Sequence, residues 1–224
     1  MDWQAFWLTI RLAFLVAAIL LFLGVPVAYW VTLSKWRWKF LIEAVMLLPV
    51  VMPPTVLGFY VLFALGPRSP VGRAWMALTG HTLAFTFTGL VIGSILYSFP
   101  FAVQPFSASF SAIDRTFIEA SSTLGASKLQ TFLRVILPLS ISGLVTGVAL
   151  SFAHTMGEFG VVLMVGGNIP GVTRTVSIAI YDQVQEANYA AANDLALLLL
   201  AMAFAILAVV YGLNRRIWAI WPWK

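Results

Sequence analysis

Few side chains in this sequence can do chemistry. There are two histidines, eight acidic residues and no cysteine, so thiolate zinc, iron–sulfur and disulfide chemistry are unavailable. His154 and Glu158 lie four residues apart, one turn of a helix, which is the spacing of a two-ligand metal site. No third ligand is within reach along the chain, so no metal is expected. His81 has no evident chemical role. Arg174 follows Gly166-Gly167-Asn168-Ile169-Pro170-Gly171 and precedes a mixed stretch carrying Asp182 and Glu186. These residues do not form the cluster of acids, bases and nucleophiles that an enzyme needs.

The elements that position them follow from composition. The 224 residues are 61% hydrophobic and 9% charged, whereas a soluble domain is about a quarter charged. A helical membrane span needs about 20 apolar residues, and the gaps between charges place five, near 9–33, 40–65, 83–110, 139–165 and 193–213. The runs are unbroken rather than alternating, which makes them helices and not barrel strands. The expected fold is an all-α membrane bundle in one domain, residues 1–224. Of the 13 basic residues, nine fall on one side: Lys35, Arg37, Lys39, Arg115, Lys128, Arg134, Arg215, Arg216 and Lys224. Arg11, Arg68, Arg73 and Arg174 fall on the other. The Lys/Arg bias makes the first side cytoplasmic. The N-terminus, the 66–82 loop and the 166–192 segment are then outside, and the C-terminus and the loop at 112–138 inside.

The net charge of +5 does not indicate nucleic acid. Lys35-Trp36-Arg37-Trp38-Lys39 is a short basic loop with tryptophans at headgroup depth. Asn214-Arg215-Arg216, Trp218, Trp221 and Trp223 make a second interfacial anchor.

Pro49, Pro53 and Pro54 interrupt the second span. In lipid, broken backbone must be buried in protein or line a wet cavity, so this stretch is either a pathway element or a packed kink. Pro100 and Pro105 are expected to bend or end the third span. On the fourth, Ser140, Gly143, Gly147, Ser151 and Thr155 form a stripe of small residues, suited to close helix packing or to a pathway lining. Glu158 and Phe159 lie about 30 Å past Pro138 at 1.5 Å per residue, near an outer gate. Glu158 reads as a structural group hydrogen-bonded to a neighbouring helix. The stretch from Val176 to Tyr189 either folds back to the outer mouth or is a solvated loop.

The inside loop runs from Asp114 to Pro138. Asp114 is a plausible N-cap, Gly125 ends a short helix, and a second amphipathic helix brings Phe132, Leu133 and Ile136 to the membrane boundary. Ala120, Leu124 and Gly125 offer a small apolar knob that suits a protein groove.

Glu119-Ala120-Ser121, Gly125 and the closing Val135-Ile136-Leu137-Pro138 resemble the Glu-Ala-Ala signature loop of ABC importer permeases, with Ser121 for the second alanine and Val135 for an isoleucine. Leu48-Pro49-Val50-Val51-Met52-Pro53-Pro54, Ser98-Phe99-Pro100, Gly157-Glu158-Phe159-Gly160 and Asn168-Ile169-Pro170-Gly171-Val172-Thr173-Arg174-Thr175 with Ala179-Ile180-Tyr181 are similar to the molybdate permeases of bacterial ABC importers. Tungstate and sulfate or thiosulfate permeases share the first three patterns more loosely. The resemblance implies a type I importer permease fold in the inner membrane. Its coupling helix would contain Glu119, Ala120, Ser121, Leu124, Gly125 and Ala126 and close at Pro138.

The implied partners are a second copy of the chain, two cytoplasmic ATPase subunits that bind ATP and magnesium, an external binding protein and membrane lipid. No cofactor is implied in the chain itself, which has no Gly-x-x-x-x-Gly-Lys-Ser/Thr phosphate loop. An ion-coupled secondary transporter would show paired half-sequences and intramembrane ionisable residues. A haem-bearing or enzymatic membrane subunit would need more ligands than these.

Overall fold

The computed structural model describes residues 2–220, with side chains for residues 2–212. Three helices are continuous and long enough to cross a membrane: α1 (Trp3–Leu33), α5 (Phe87–Ser111) and α12 (Tyr189–Ile220). Two bent pairs bring the candidates among the described residues to as many as five when each pair counts as one, by length and composition. Trp221, Trp223 and Lys224 lie outside the described residues, and so do the side chains of Asn214, Arg215, Arg216 and Trp218.

The first bent pair is α2 (Lys39–Val51) and α3 (Pro54–Leu65), at 112°. The expected interruption exists, but Pro49 lies inside α2 and does not break it. The break falls at Met52 and Pro53. Met52 is extended, ψ 141°, as a residue before proline tends to be, and Pro54 opens α3 where no donor is needed. Pro100 and Pro105 also sit within α5 and do not end it.

The second bent pair joins the loop helices to α9 (Ile141–Gly157), at 71°. The fourth apolar run therefore does not continue as one helix to residue 165. Glu158 is extended, and α10 (Gly160–Gly166) starts afresh after Phe159.

The segment expected to be a loop, 66–82, and the one left open between folding back and a solvated loop, 176–189, both contain helices. α4 (Pro70–Thr79) is bounded by a Ser69 cap, a first-turn proline and Gly80 at φ 75°, the start and stop chemistry of a helix. α11 (Val176–Gln185) is capped by Thr175 and buries Val176, Ile178 and Ala179, so this segment is not a solvated loop. Thr9 of α1 accepts a hydrogen bond from the Val176 N–H at 2.9 Å, tying the start of α1 to the start of α11.

α1, α5 and α9 enclose the main core, with Leu12, Val16 and Leu20 on one helix face against Leu90, Val103, Phe106 and Leu144. Lipid is as apolar as these side chains, so close packing rather than water exclusion holds the helices together. The small-residue stripe serves that packing. A β-carbon on Gly143 would meet Ser109 and, at 2.9 Å, the Pro105 carbonyl; one on Gly147 would meet Phe106 and, at 2.6 Å, the Ala102 carbonyl. α3, α10 and Leu83 ahead of α5 form a second, smaller cluster, Val61, Leu65, Leu83, Val161 and Val165.

Candidate functional site

Between α5 and α9 the chain folds into α6 (Arg115–Thr123), α7 (Lys128–Thr131), a π-helical turn (Phe132–Ile136) and α8 (Leu137–Leu139). Asp114 caps α6, accepting from the Thr116 N–H at 2.9 Å and from its hydroxyl at 2.7 Å. α6 then ends at Leu124, whose N–H donates to the Ala120 carbonyl at 3.0 Å. Gly125 takes φ +79°, a conformation that glycine adopts without strain. Ser127 and Gln130 cap α7 reciprocally, a capping box.

No residue of α6 is buried. Glu119, Ala120 and Gly125 are exposed, and Leu124 is 87% exposed. The knob inferred from the sequence is therefore present and uncovered within the chain.

The loop is held from beneath. Ile136 is buried, and the Phe132 ring packs edge-on against Tyr29 at 4.8 Å. These two side chains enter the bundle, so of the three expected at the membrane boundary only Leu133 remains exposed. The π turn arises where the Leu137 N–H reaches back to the Phe132 carbonyl, five residues away. Pro138 follows in α8. Ser121 also has a role that the sequence did not reveal: its hydroxyl bonds that of Thr131 at 2.9 Å, joining α6 to α7. An alanine there could not do this.

The hydrogen bonds that Thr116 gives, first from its backbone and then from its hydroxyl, hold the Asp114 carboxyl below the usual carboxylate range. The sign follows. A lowered folded value contributes stability above the unfolded pKa, and that contribution is lost as pH falls through the folded value. Amide exchange in residues 116–120, corrected for its intrinsic pH dependence, should therefore rise as the medium is acidified. Asp114→Ala should show the faster exchange already at neutral pH. Identical exchange in both proteins at both pH values would remove the capping role.

The second group of polar residues lies along α5 and α9. Ser98 Oγ is 3.0 Å from His154 Nδ1 and 2.8 Å from Thr155 Oγ1. Thr155 donates to the Ser151 carbonyl at 2.8 Å, and the Ser151 hydroxyl donates to the Val148 carbonyl at 3.0 Å. The His154 ring stacks on Phe101 at 3.8 Å. Ser151 and Thr155 are thus buried and satisfied. Ser98 was legible in its motif but not as their partner; its spacing of four from Ser94 on α5 was the available signal.

Glu158 is only 3% exposed, yet both carboxyl oxygens lack a hydrogen-bond partner. Ser94 of the neighbouring α5 faces the carboxyl, the pairing expected there, with a geometry short of a full hydrogen bond. An unsatisfied buried polar group costs about 1–3 kcal/mol. Phe159 packs on Tyr181 at 5.1 Å. Pro54 lies against Gly160, where a β-carbon would come within 2.6 Å of it. Pro49 and Pro53 do not join the Ser98 cluster.

At the end of the bundle where α1 begins, Arg174 pairs with Asp182 at 3.3 Å and Asp2 at 3.8 Å. Its Nε donates to Asn168 Oδ1 at 2.7 Å.

Residues 21–219 match the family of binding-protein-dependent transport system inner membrane components. The chain is 47% identical over 214 residues to the molybdenum transport system permease protein ModB of Azotobacter vinelandii, covering 96% of this chain and 95% of that one. It is 32% identical over 193 residues to the sulfate transport system permease protein CysT of Escherichia coli strain K12, covering 86% and 69%. In fold it is similar to a chain of the MetNI methionine ABC transporter, with a TM-score of 0.76 at 16% identity over 96% and 95% of the two chains.

Proposed function

Because this chain belongs to the binding-protein-dependent transport system inner membrane components, we propose that it is the permease through which an ATP-driven importer carries molybdate into the cell. It is a multi-pass protein of the cytoplasmic membrane and a transport subunit, not an enzyme by itself. The substrate assignment is carried by the 47% identity with the molybdenum permease across nearly the whole chain. Tungstate, and sulfate or thiosulfate, are the alternatives of the same oxyanion class.

In this reading the basic side is cytoplasmic, which leaves the N-terminus outside and the C-terminus inside. Glu119, Ala120, Ser121, Leu124, Gly125 and Ala126 seat in a groove of a separate ATPase subunit, which binds ATP and magnesium; Phe132 and Ile136 fasten that surface to the bundle ahead of Pro138, which closes the loop. Two copies of the chain face one another with one ATPase beneath each. In support, α2 buries no residue in its own chain, and Leu200 and Phe204 of α12 are exposed. These apolar surfaces are free for lipid or the second copy. An external binding protein delivers the anion at the Arg174 end. ATP closure pushes the loop helices, and the permease changes between two arrangements, a bistable element biased at its cytoplasmic end. Pro49, Pro53, Pro54, Ser151, Thr155, Glu158 and Phe159 belong to the pathway or its gate, the serine and threonine as packing that holds α5 and α9 in register.

Uptake of labelled molybdate, with tungstate and sulfate as competitors, tests the assignment in liposomes holding the complete complex. Molybdate is expected to outcompete sulfate at equal concentration. Equal competition by sulfate would reassign the substrate.

A further inference from the structure

Tyr97 of α5 and His154 of α9 are half-buried neighbours, their rings 4.7 Å apart, and the His154 ring lies nearly flat on Phe101 at 3.8 Å. Neither the Tyr97 hydroxyl nor His154 Nε2 is sealed in, and neither has a hydrogen-bond partner in the chain. At 1.5 Å per residue, His154 stands about 20 Å along from Ile141 and Tyr97 about 15 Å along from Phe87. Both therefore lie well inside a hydrocarbon layer about 30 Å thick. Lipid offers such groups no partner, and polar side chains at that depth face the bundle interior or a water-filled cavity. Ser98 already takes the inward nitrogen of the ring, so the open edge faces water.

The hydrogen bonds behind the ring fix where its proton sits. A hydroxyl has one proton to give. Thr155 gives its own to the Ser151 carbonyl, so in the 2.8 Å bond between Ser98 and Thr155 it is Ser98 that donates. Ser98 then has none left for His154, and the 3.0 Å bond between them is made by Nδ1–H donating to Ser98. A neutral ring held this way carries a bare lone pair at Nε2. The Tyr97 hydroxyl is a free donor beside it.

We infer that Tyr97 and His154 form a contact for the tetrahedral oxyanion in the wall of the translocation pathway. The Tyr97 hydroxyl donates as it stands. A dianion offers only acceptors, so His154 first takes one proton onto Nε2 from the water of the pathway, donates from it, and returns it to water when the anion leaves. Ser98 is the positioning residue that sets this requirement. Among the charged groups of the helices packed against α9, Arg11 of α1 is turned to Phe87, Asp182 of α11 to Arg174, and Asp194 of α12 to a cavity shared with Asp2 and Arg174. α5 carries none, which leaves Glu158, one turn further along the chain, as the charged neighbour of His154. The inference rests on the import reading.

Water access is tested without transport. The chain has no cysteine, so Tyr97→Cys can be treated with a charged methanethiosulfonate in the complete complex, with and without ATP. In at least one of the two states it should react about tenfold faster or more than Phe22→Cys, an exposed position on α1. Reaction no faster than at residue 22 in both states would overturn the pathway position. The anion contact is read from molybdate uptake in liposomes, divided by the ATP hydrolysed and with equal pH on the two sides. Tyr97→Phe removes one oxygen that nothing in the chain holds, so the protein should fold normally and uptake should drop about tenfold. Wild-type uptake by Tyr97→Phe would overturn the contact.

The pH profile isolates His154. Uptake per ATP should fall as the medium is made alkaline, and the fall should vanish in His154→Gln, whose amide donates at any pH. Ser98→Ala should flatten the profile too, because the ring is then free to carry its one proton on Nε2. A profile as steep in His154→Gln as in the wild type would overturn the role of His154, and one as steep in Ser98→Ala would overturn that of Ser98. A folded wild-type complex that moves neither molybdate, tungstate nor sulfate would overturn the import reading instead, with the labelling result still standing.

Discussion

Gly125→Val is expected to lower ATP-driven uptake by about tenfold or more while the chain still inserts and folds. No atom lies within 4 Å of where a β-carbon would stand, so the added side chain meets no clash inside its own chain. The backbone is where the intramolecular cost arises. A φ of +79° disfavours an L-residue by about 1–2 kcal/mol, and β-branching adds to it. Relaxing that strain would turn Leu124 and re-aim the end of α6. Asparagine tolerates the left-handed region, so Gly125→Asn separates two causes: near-normal uptake means that backbone shape matters, and a loss equal to valine means that the partner groove admits no side chain. Leu124→Asp should match valine, because it puts a charge on the most exposed part of the knob. Co-purification of the ATPase subunit is the second readout and should fall in step with uptake. Wild-type uptake and co-purification by Gly125→Val would end the docking role of this loop.

Charge spacing alone located the long apolar runs, because in lipid the cost of a charge is the largest local term and leaves long gaps in the sequence. It could not locate the breaks. Pro49, Pro100 and Pro105 read like Pro53, yet only Pro53 ends a helix, since whether a bundle absorbs a proline depends on which neighbours surround the freed carbonyl. α4 was legible in Ser69, Pro70 and Gly80 had the caps been weighed above the loop-like composition. The knob of Leu124 and Gly125 was legible because its parts are adjacent in sequence. The pairing of Ser121 with Thr131 was not, nor was the bond between Ser98 and Thr155, which comes from two helices, its partners 57 positions apart in sequence. Long-range contacts of that kind depend on helix rotation and register, which periodicity constrains only loosely.

Gly147→Leu should prevent the chain from folding, a different failure from that of Gly125→Val. A β-carbon at residue 147 would already meet the Phe106 ring and stand 2.6 Å from the Ala102 carbonyl. Phe106 is wholly buried among side chains of α1, α5 and α9, so its ring has no free volume to move into. The carbonyl belongs to the backbone of α5 and cannot turn aside. Overpacking a core costs about 1–3 kcal/mol, at times more, and here it would push apart the two helices whose close approach the small-residue stripe permits. The sharpest contrast is Gly212→Leu on α12, where no atom lies within 4 Å of the new β-carbon and the residue is exposed. Size exclusion in mild detergent should show a monodisperse peak for Gly212→Leu and aggregate or no protein for Gly147→Leu. Uptake by a well-folded Gly147→Leu protein would mean that the stripe does not set the distance between α5 and α9. The pathway reading of Ser151 and Thr155 would then regain its claim over the packing one.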